Sequence, residues 1–274
     1  TRYSESDIVP VSSKTGAGIE NLKEVIVSNL RQLSKAPDAD KPYLFIDRVF
    51  SPRGVGAVVT GTLKNGVFAD NDNVTVLPLN REVKIKKIES HYRELQEGVP
   101  SQRTALNLSG VTRDELKRGD IVCRYNFFTE TDDIIAGILL MEEHRKIRNN
   151  TYVEILAGTD SVRAKLIMID ENENFEKKIP VRLRFDSMTN LYPGESFIIT
   201  TPGGFRIIGG GTVIVPGYLP AAHRKSLKNL YRNLGTDEID DIILFNIAVN
   251  GWMKKDLIYS TLPVSRKGVE RIIT

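Results

Sequence analysis

The chain has 274 residues, enough for two or three domains, and its 41% hydrophobic and 27% charged content is that of a globular rather than a disordered protein. One cysteine, Cys123, excludes an intrachain disulfide, and three histidines, His91, His144 and His223, are too scattered to assemble a zinc-type cluster. A net charge of +3 is compatible with a nucleic-acid partner without requiring one. With no run of about 18 apolar residues and no charged-then-apolar leader, no membrane contact is expected and a cytoplasmic location is.

In chain order, Asp7–Val11 predicts a short strand and Ser12-Ser13-Lys14-Thr15-Gly16-Ala17-Gly18 a loop. Ile19, Leu22, Val25, Ile26 and Leu30 then recur at helical spacing. Pro37 and its acidic neighbours make residues 36–40 a polar linker. From Lys41 to about Phe128 the period becomes that of strands. The candidates are Tyr43–Phe50, Gly56–Leu63, Asn73–Leu77, Arg81–Ile88, Gln102–Leu108 and Asp120–Tyr125. Asn65-Gly66 predicts a hairpin, because that turn needs positive φ twice. Several short strands at this spacing predict a small closed barrel.

The pattern repeats over 129–217. Val181, Leu183 and Phe185 alternate with Arg182 and Arg184, and Val162, Ala164, Leu166 and Met168 alternate with Arg163 and Lys165. Gly209-Gly210-Gly211 is expected to reflect tight barrel geometry. Helical spacing returns after Pro220, through Leu227, Leu230, Tyr231 and Leu234, then Ile239–Val249 and Leu257-Ile258, with Gly235 and Gly251 as stops and Tyr231 and Trp252 in the helical core. The expected protein is mainly β: a strand–helix segment over 1–35, the linker at 36–40, one barrel over 41–128, a second over 129–217, and a helical segment over 218–274. It opens within a domain and ends inside a helical pattern, so it is expected to be a portion of a longer protein.

Ile46-Asp47-Arg48-Val49-Phe50, followed by Gly54-Val55-Gly56-Ala57-Val58-Val59-Thr60-Gly61-Thr62-Leu63, resembles the opening of the second domain in the elongation factor Tu family of translational GTPases. Ser12-Ser13-Lys14 just upstream resembles the guanine-binding S-A-K motif that closes the GTPase domain of that family. The pair Asp47-Arg48, a further arginine in Ser101-Gln102-Arg103-Thr104-Ala105-Leu106-Asn107, and about sixty residues past the second barrel are similar to the bacterial selenocysteine-specific branch. The resemblance implies two translation-factor barrels, preceded by the remnant of an α/β GTPase domain and followed by the start of a winged-helix extension.

It implies a chemistry as well. Selenocysteine is ionised at neutral pH, and a nearby cation favours the ionised form. By motif match, Arg48 and Arg103 would face the selenolate, while Asp47 orients them or takes the α-amino group. Arginine suits this better than lysine, staying charged when buried and offering donors in a fixed fork. His91 is expected near the same rim. Ser12, Ser13 and Lys14 would meet the guanine base. No G-x-x-x-x-G-K-[ST] loop occurs, so this chain is expected neither to bind cofactors nor to hydrolyse GTP; GTP and Mg²⁺ belong to the full-length parent. The implied partners are selenocysteinyl-tRNA, the ribosome, and an mRNA hairpin read by domains beyond Thr274. Lys84 with Lys86, Arg163 with Lys165, and Arg182 with Arg184 have the spacing to touch an RNA backbone. The competing readings are a related GTPase without selenocysteine specificity, a barrel pair that binds proteins, and a winged-helix regulator of DNA.

Overall fold

The computed structural model describes residues 8–32, 39–169, 178–218, 242–244, 247 and 255–273. Asp7, linker residues 36–38, Pro220, His223, Leu227, Leu230, Tyr231, Leu234, Gly235, Gly251 and Trp252 lie outside them. Two compact units are present, residues 1–36 and 37–274.

In the first unit, α1 (Ile19–Gln32) follows a loop closed by Gly16 N–H donating to Ser12 O at 2.9 Å. Glu20 in its first turn and Arg31 in its last complement the helix dipole. Gly18 has φ +77°, and a Cβ there would lie 2.2 Å from Pro10 O, so only glycine fits the turn. The strand expected over Asp7–Val11 is not formed by its described residues, 8–11. β-Branched sequence disposes a segment to strand, but a strand exists only with a partner to hydrogen-bond, and among the described residues none pairs with it.

In the second unit, the first barrel is a closed ring. β1 (Tyr43–Phe45) pairs with β10 (Ile121–Cys123), then β5 (Asn73–Leu77), β6 (Arg81–Ser90), β9 (Arg103–Ser109) and β3 (Ala57–Lys64), which returns to β1. Alternation dictates which residues fill it. Ala57, Val59 and Leu63 of β3 are buried with Leu44, Ile46, Val76, Ile85, Ile88, Leu106 and Leu108, while Thr60 and Thr62 face outward. Burying each large aliphatic side chain contributes about 1.5–3 kcal/mol.

Two expectations need correction here. Tyr43–Phe50 is not one strand. It breaks into β1 and β2 (Arg48–Phe50), both paired with β3, and the register slips by one residue between Leu44↔Leu63 and Arg48↔Thr60. That slip is a bulge at Ile46-Asp47. Nor does Asn65-Gly66 make a hairpin. Asn65 takes φ 62°, but both edges of β3 are already occupied, by β1 and β2 on one side and β9 on the other. The next strand, β4 (Phe68–Ala69), pairs instead with β8 (Glu97–Gly98).

The second barrel closes in the order β11 (Thr129–Leu140), β14 (Ile179–Leu191), β13 (Asp160–Met168), β12 (Thr151–Ala157), β15 (Ser196–Thr200), β16 (Ile207–Pro216). Gly209 and Gly211 lie on β16, and a Cβ on either would come within 2.5 Å of a carbonyl of β11. The glycine run is therefore a close approach of strands. Between the barrels lies an aromatic seam in which Tyr43 packs edge-on against Phe45, Phe127, Phe128 and Tyr192. At the far end, α2 (Lys255–Thr261) and α3 (Arg266–Ile273) enclose Ile258, Leu262 and Val269 with Ile243. The buried Lys41 ties this pair to the first barrel by donating to Leu262 O at 2.7 Å and to Tyr259 O.

Candidate functional site

On the outer face of β2, β3 and β9 lies an open cleft of about 380 Å³. Register explains its members. Arg48 stands directly opposite Thr60, and Thr60 opposite Ala105, so these three form a row across the three strands. The bulge at Ile46-Asp47 resets the alternation and so places Arg48 and Phe50 in the wall of the cleft. Arg103 begins β9 beside them.

The opposite wall is the tight turn between β6 and β7 (Arg93–Leu95). Ser90 pairs with Arg93, leaving a two-residue turn of His91 and Tyr92 with φ of 51° and 61°. Non-glycine residues in this left-handed region are uncommon and cluster at functional sites. The buried Ser90 hydroxyl donates to Arg103 O at 2.7 Å, which ties the turn to the arginine strand.

Asp47 is outside the lining and acts from behind it, accepting a hydrogen bond from an Arg103 terminal nitrogen at 2.7 Å. That bond holds the Asp47 carboxyl below the usual carboxylate range, with the charges of Arg103, Arg118 and Arg48 adding to it. The pair is half-exposed, so it contributes only about 0–1 kcal/mol to stability; its effect is to orient Arg103. Glu89, on the same rim, is occupied by Lys87 at 3.0 Å. Arg48 has no carboxylate within ion-pair distance among the described residues, and Thr60 Oγ1 is buried on the floor without a partner there. The cleft therefore offers one committed guanidinium, one uncommitted one, and an idle hydroxyl.

The structure thus brings Asp47, Arg48, Arg103 and His91 together. Sequence reasoning missed Phe50, Thr60, Glu89 and Tyr92. The outward alternation of β3 marks Thr60, but Glu89 and Tyr92 reach the cleft only through the pairing of β6 with β9.

The other candidate residues lie apart from the cleft's lining. Ser12, Ser13 and Lys14 form the exposed loop before α1, where the Ser13 N–H has no partner among the described residues. Lys84 and Lys86 are exposed on β6. On the second barrel Tyr152, Lys165 and Arg184 lie side by side across three strands, and Arg163 sits over the Tyr152 ring at 4.2 Å and 3.6 Å from Asp186. Arg182 is different: its guanidinium grips the buried Asp133 with two nitrogens, one of them, Nε, at 2.9 Å from both carboxylate oxygens, so its charge is spent inside the protein.

Residues 56–123, most of the first barrel with the cleft strands β3 and β9, match elongation factor Tu domain 2. Over those residues the chain is similar to the elongation factor Tu family. Within it the similarity is to selenocysteine-specific elongation factors: 27% identity to that of Desulfomicrobium baculatum over 89% of this chain and 39% of the relative, and 31% to that of Haemophilus influenzae over 74% and 32%. The crystal structure of a bacterial selenocysteine-specific elongation factor, EF-Sec, shares the fold, with TM-score 0.77 and 22% identity over 94% of this chain and 42% of that one. The chain thus spans well under half the length of these relatives.

Proposed function

We propose that this chain holds the aminoacyl end of selenocysteinyl-tRNA for delivery to the ribosome at recoded UGA codons, with the cleft of the first barrel as the selenocysteine pocket. One observation carries the reading: Arg48 and Arg103 line a single cleft, and among the described residues only Arg103 is matched by a carboxylate. A selenolate entering there gains charge-assisted hydrogen bonds of about 1.5–3 kcal/mol each, where a neutral serine hydroxyl gains less. Asp47 keeps Arg103 aimed from behind the lining.

GTP enters this reading through the full-length protein. Ser12, Ser13 and Lys14 would hold the guanine base, the Ser13 N–H, without a partner among the described residues, being a suitable donor, and the nucleotide when bound supplies the switch that loads and releases tRNA. The phosphates and Mg²⁺ are assigned to sequence outside this chain, as is the reading of an mRNA hairpin. The segment from 218 onward is taken as the start of a winged-helix connector. Work in the cytoplasm follows from the same role.

The test is Arg48→Ala and Arg103→Ala in the full-length protein with GTP bound, comparing selenocysteinyl- and seryl-tRNA. Both share every phosphate, so only the pocket can discriminate. Selenocysteinyl binding should fall by tenfold or more, the order expected for one lost charge-assisted hydrogen bond, with seryl binding nearly unchanged. Equal losses for both would sink the pocket assignment.

A further inference from the structure

The bulge that presents Asp47 and Arg48 is held from the other barrel. The tip joining β12 to β13, Gly158 and Thr159, reaches the first barrel, where Thr159 Oγ1 donates to Ile46 O at 2.7 Å. The same carbonyl accepts the Gly119 N–H at 3.0 Å, the Ile46 N–H goes to Asp120 O at 2.8 Å, and the Asp47 N–H goes to Thr60 O at 2.7 Å. Backbone groups in a bulge have lost their regular ladder partners. Here the peptide between Ile46 and Asp47 is fixed at both ends, and one of its three bonds crosses the seam.

The contact is close enough to demand glycine on both sides. Gly158 has φ +58°, and a Cβ there would lie 2.6 Å from the Phe45 ring; a Cβ on Gly119 would lie 2.8 Å from the Asp160 carboxyl carbon. Arg118 reinforces the junction by donating from Nε to Thr159 O at 2.8 Å, and its charge also acts on Asp47. A single arginine therefore bonds the crossing tip and acts through its charge on the acid that aims Arg103.

We infer that Thr159 of the second barrel is a positioning residue for the cleft of the first, setting the bulge, and through it Asp47 and Arg103. Its consequence for tRNA selection rests on the function proposed above; the geometry does not. Removing the hydroxyl frees one lone pair of Ile46 O, lets the bulge shift, and loosens the bond between Asp47 and Arg103.

The experiment follows the Asp47 carboxyl by NMR pH titration in the 274-residue chain. Thr159→Val should raise its midpoint by about half a pH unit or more toward the ordinary carboxylate value, since the Arg103 hydrogen bond is what depresses it. Thr159→Ser should restore it. Tyr192→Phe, which weakens the seam elsewhere, should lower Tm and leave Asp47 unmoved. An Asp47 midpoint indifferent to Thr159→Val, or displaced equally by Tyr192→Phe, overturns the inference. In the full-length protein with GTP, Thr159→Val should reduce the selenocysteinyl-to-seryl affinity ratio by about threefold or more, as an arginine misaimed by part of a hydrogen bond requires. If Asp47 moves and that ratio does not, Thr159 positions the cleft as inferred and it is the selenocysteine reading that fails.

Discussion

Tyr43 of the first barrel and Tyr192 of the second meet hydroxyl to hydroxyl at 2.8 Å inside the aromatic seam. Burial pushes both hydroxyls well above the ordinary tyrosine range, so the pair stays protonated and neutral throughout the working pH range. Removing one member leaves the other buried without this partner. Tyr192→Phe should cost about 1–3 kcal/mol in denaturant unfolding, and the double change with Tyr43→Phe clearly less than twice that. Strict additivity would show that the two hydroxyls do not depend on each other.

Close to that pair, Glu195 is buried, with one carboxylate oxygen unpartnered among the described residues. Burial raises its pKa from 4.5 to about 8, against a partial opposing pull from Lys64. Between those two values the folded chain keeps a proton that the unfolded chain has lost. Raising pH therefore favours unfolding: this stability is fully present below about 4.5 and is lost as pH rises through about 8. The slope from one such group is about 1.4 kcal/mol per pH unit. Asp120, also raised by burial, adds with the same sign. Glu115, whose carboxyl accepts the Thr112 N–H and is held down near 2, acts in the opposite direction, but only below about 4.5. Glu195→Gln should flatten most of the decline in urea-derived stability between pH 5 and 8; an unchanged slope would exclude Glu195 as its source.

Lys41 is the peg between the first barrel and the helical pair. Its ammonium donates to the carbonyls of Tyr259 and Leu262 at the end of α2 and lies 3.6 Å from the centre of the Tyr259 ring. Burial, helped by Arg266, lowers its pKa to about 8. Lys41→Met keeps the stem and removes the donors, stranding buried carbonyls at a cost of about 1–3 kcal/mol. The expected result is faster amide exchange across α2 and α3, with the strands of both barrels protected as before. Uniform loss of protection in the barrels would mean that Lys41 supports the barrel itself.

Gly61 explains a glycine of the motif physically. A Cβ there would stand 2.2 Å from Phe45 O and 2.7 Å from the Leu44 side chain, where β1 crosses β3. Backbone cannot yield as a flexible side chain can, so Gly61→Ala should destabilise by about 1–3 kcal/mol or more. A thermal melt within a degree of the parent would show that the crossing is looser than this.

By itself the sequence determined the two strand-rich regions and the inward faces of their strands, because side-chain period is a local property, and a motif resemblance singled out Asp47, Arg48 and Arg103 as candidates. It also marked Gly209-Gly210-Gly211 as tight packing, which the approach to β11 explains. Tertiary structure decided the rest. Asn65-Gly66 has the composition of a hairpin, yet β3 has no free edge for the next strand, and edge occupancy is a property of the closed ring. Arg182 has the spacing of a surface cation, yet Asp133, 49 residues away, takes its charge. Glu89, Tyr92 and Thr159 carry no local mark of their place near the cleft. They reach it through the register of β6 on β9 and the packing of one barrel on the other, and burial and pairing between distant segments exist only once the barrels have closed and met.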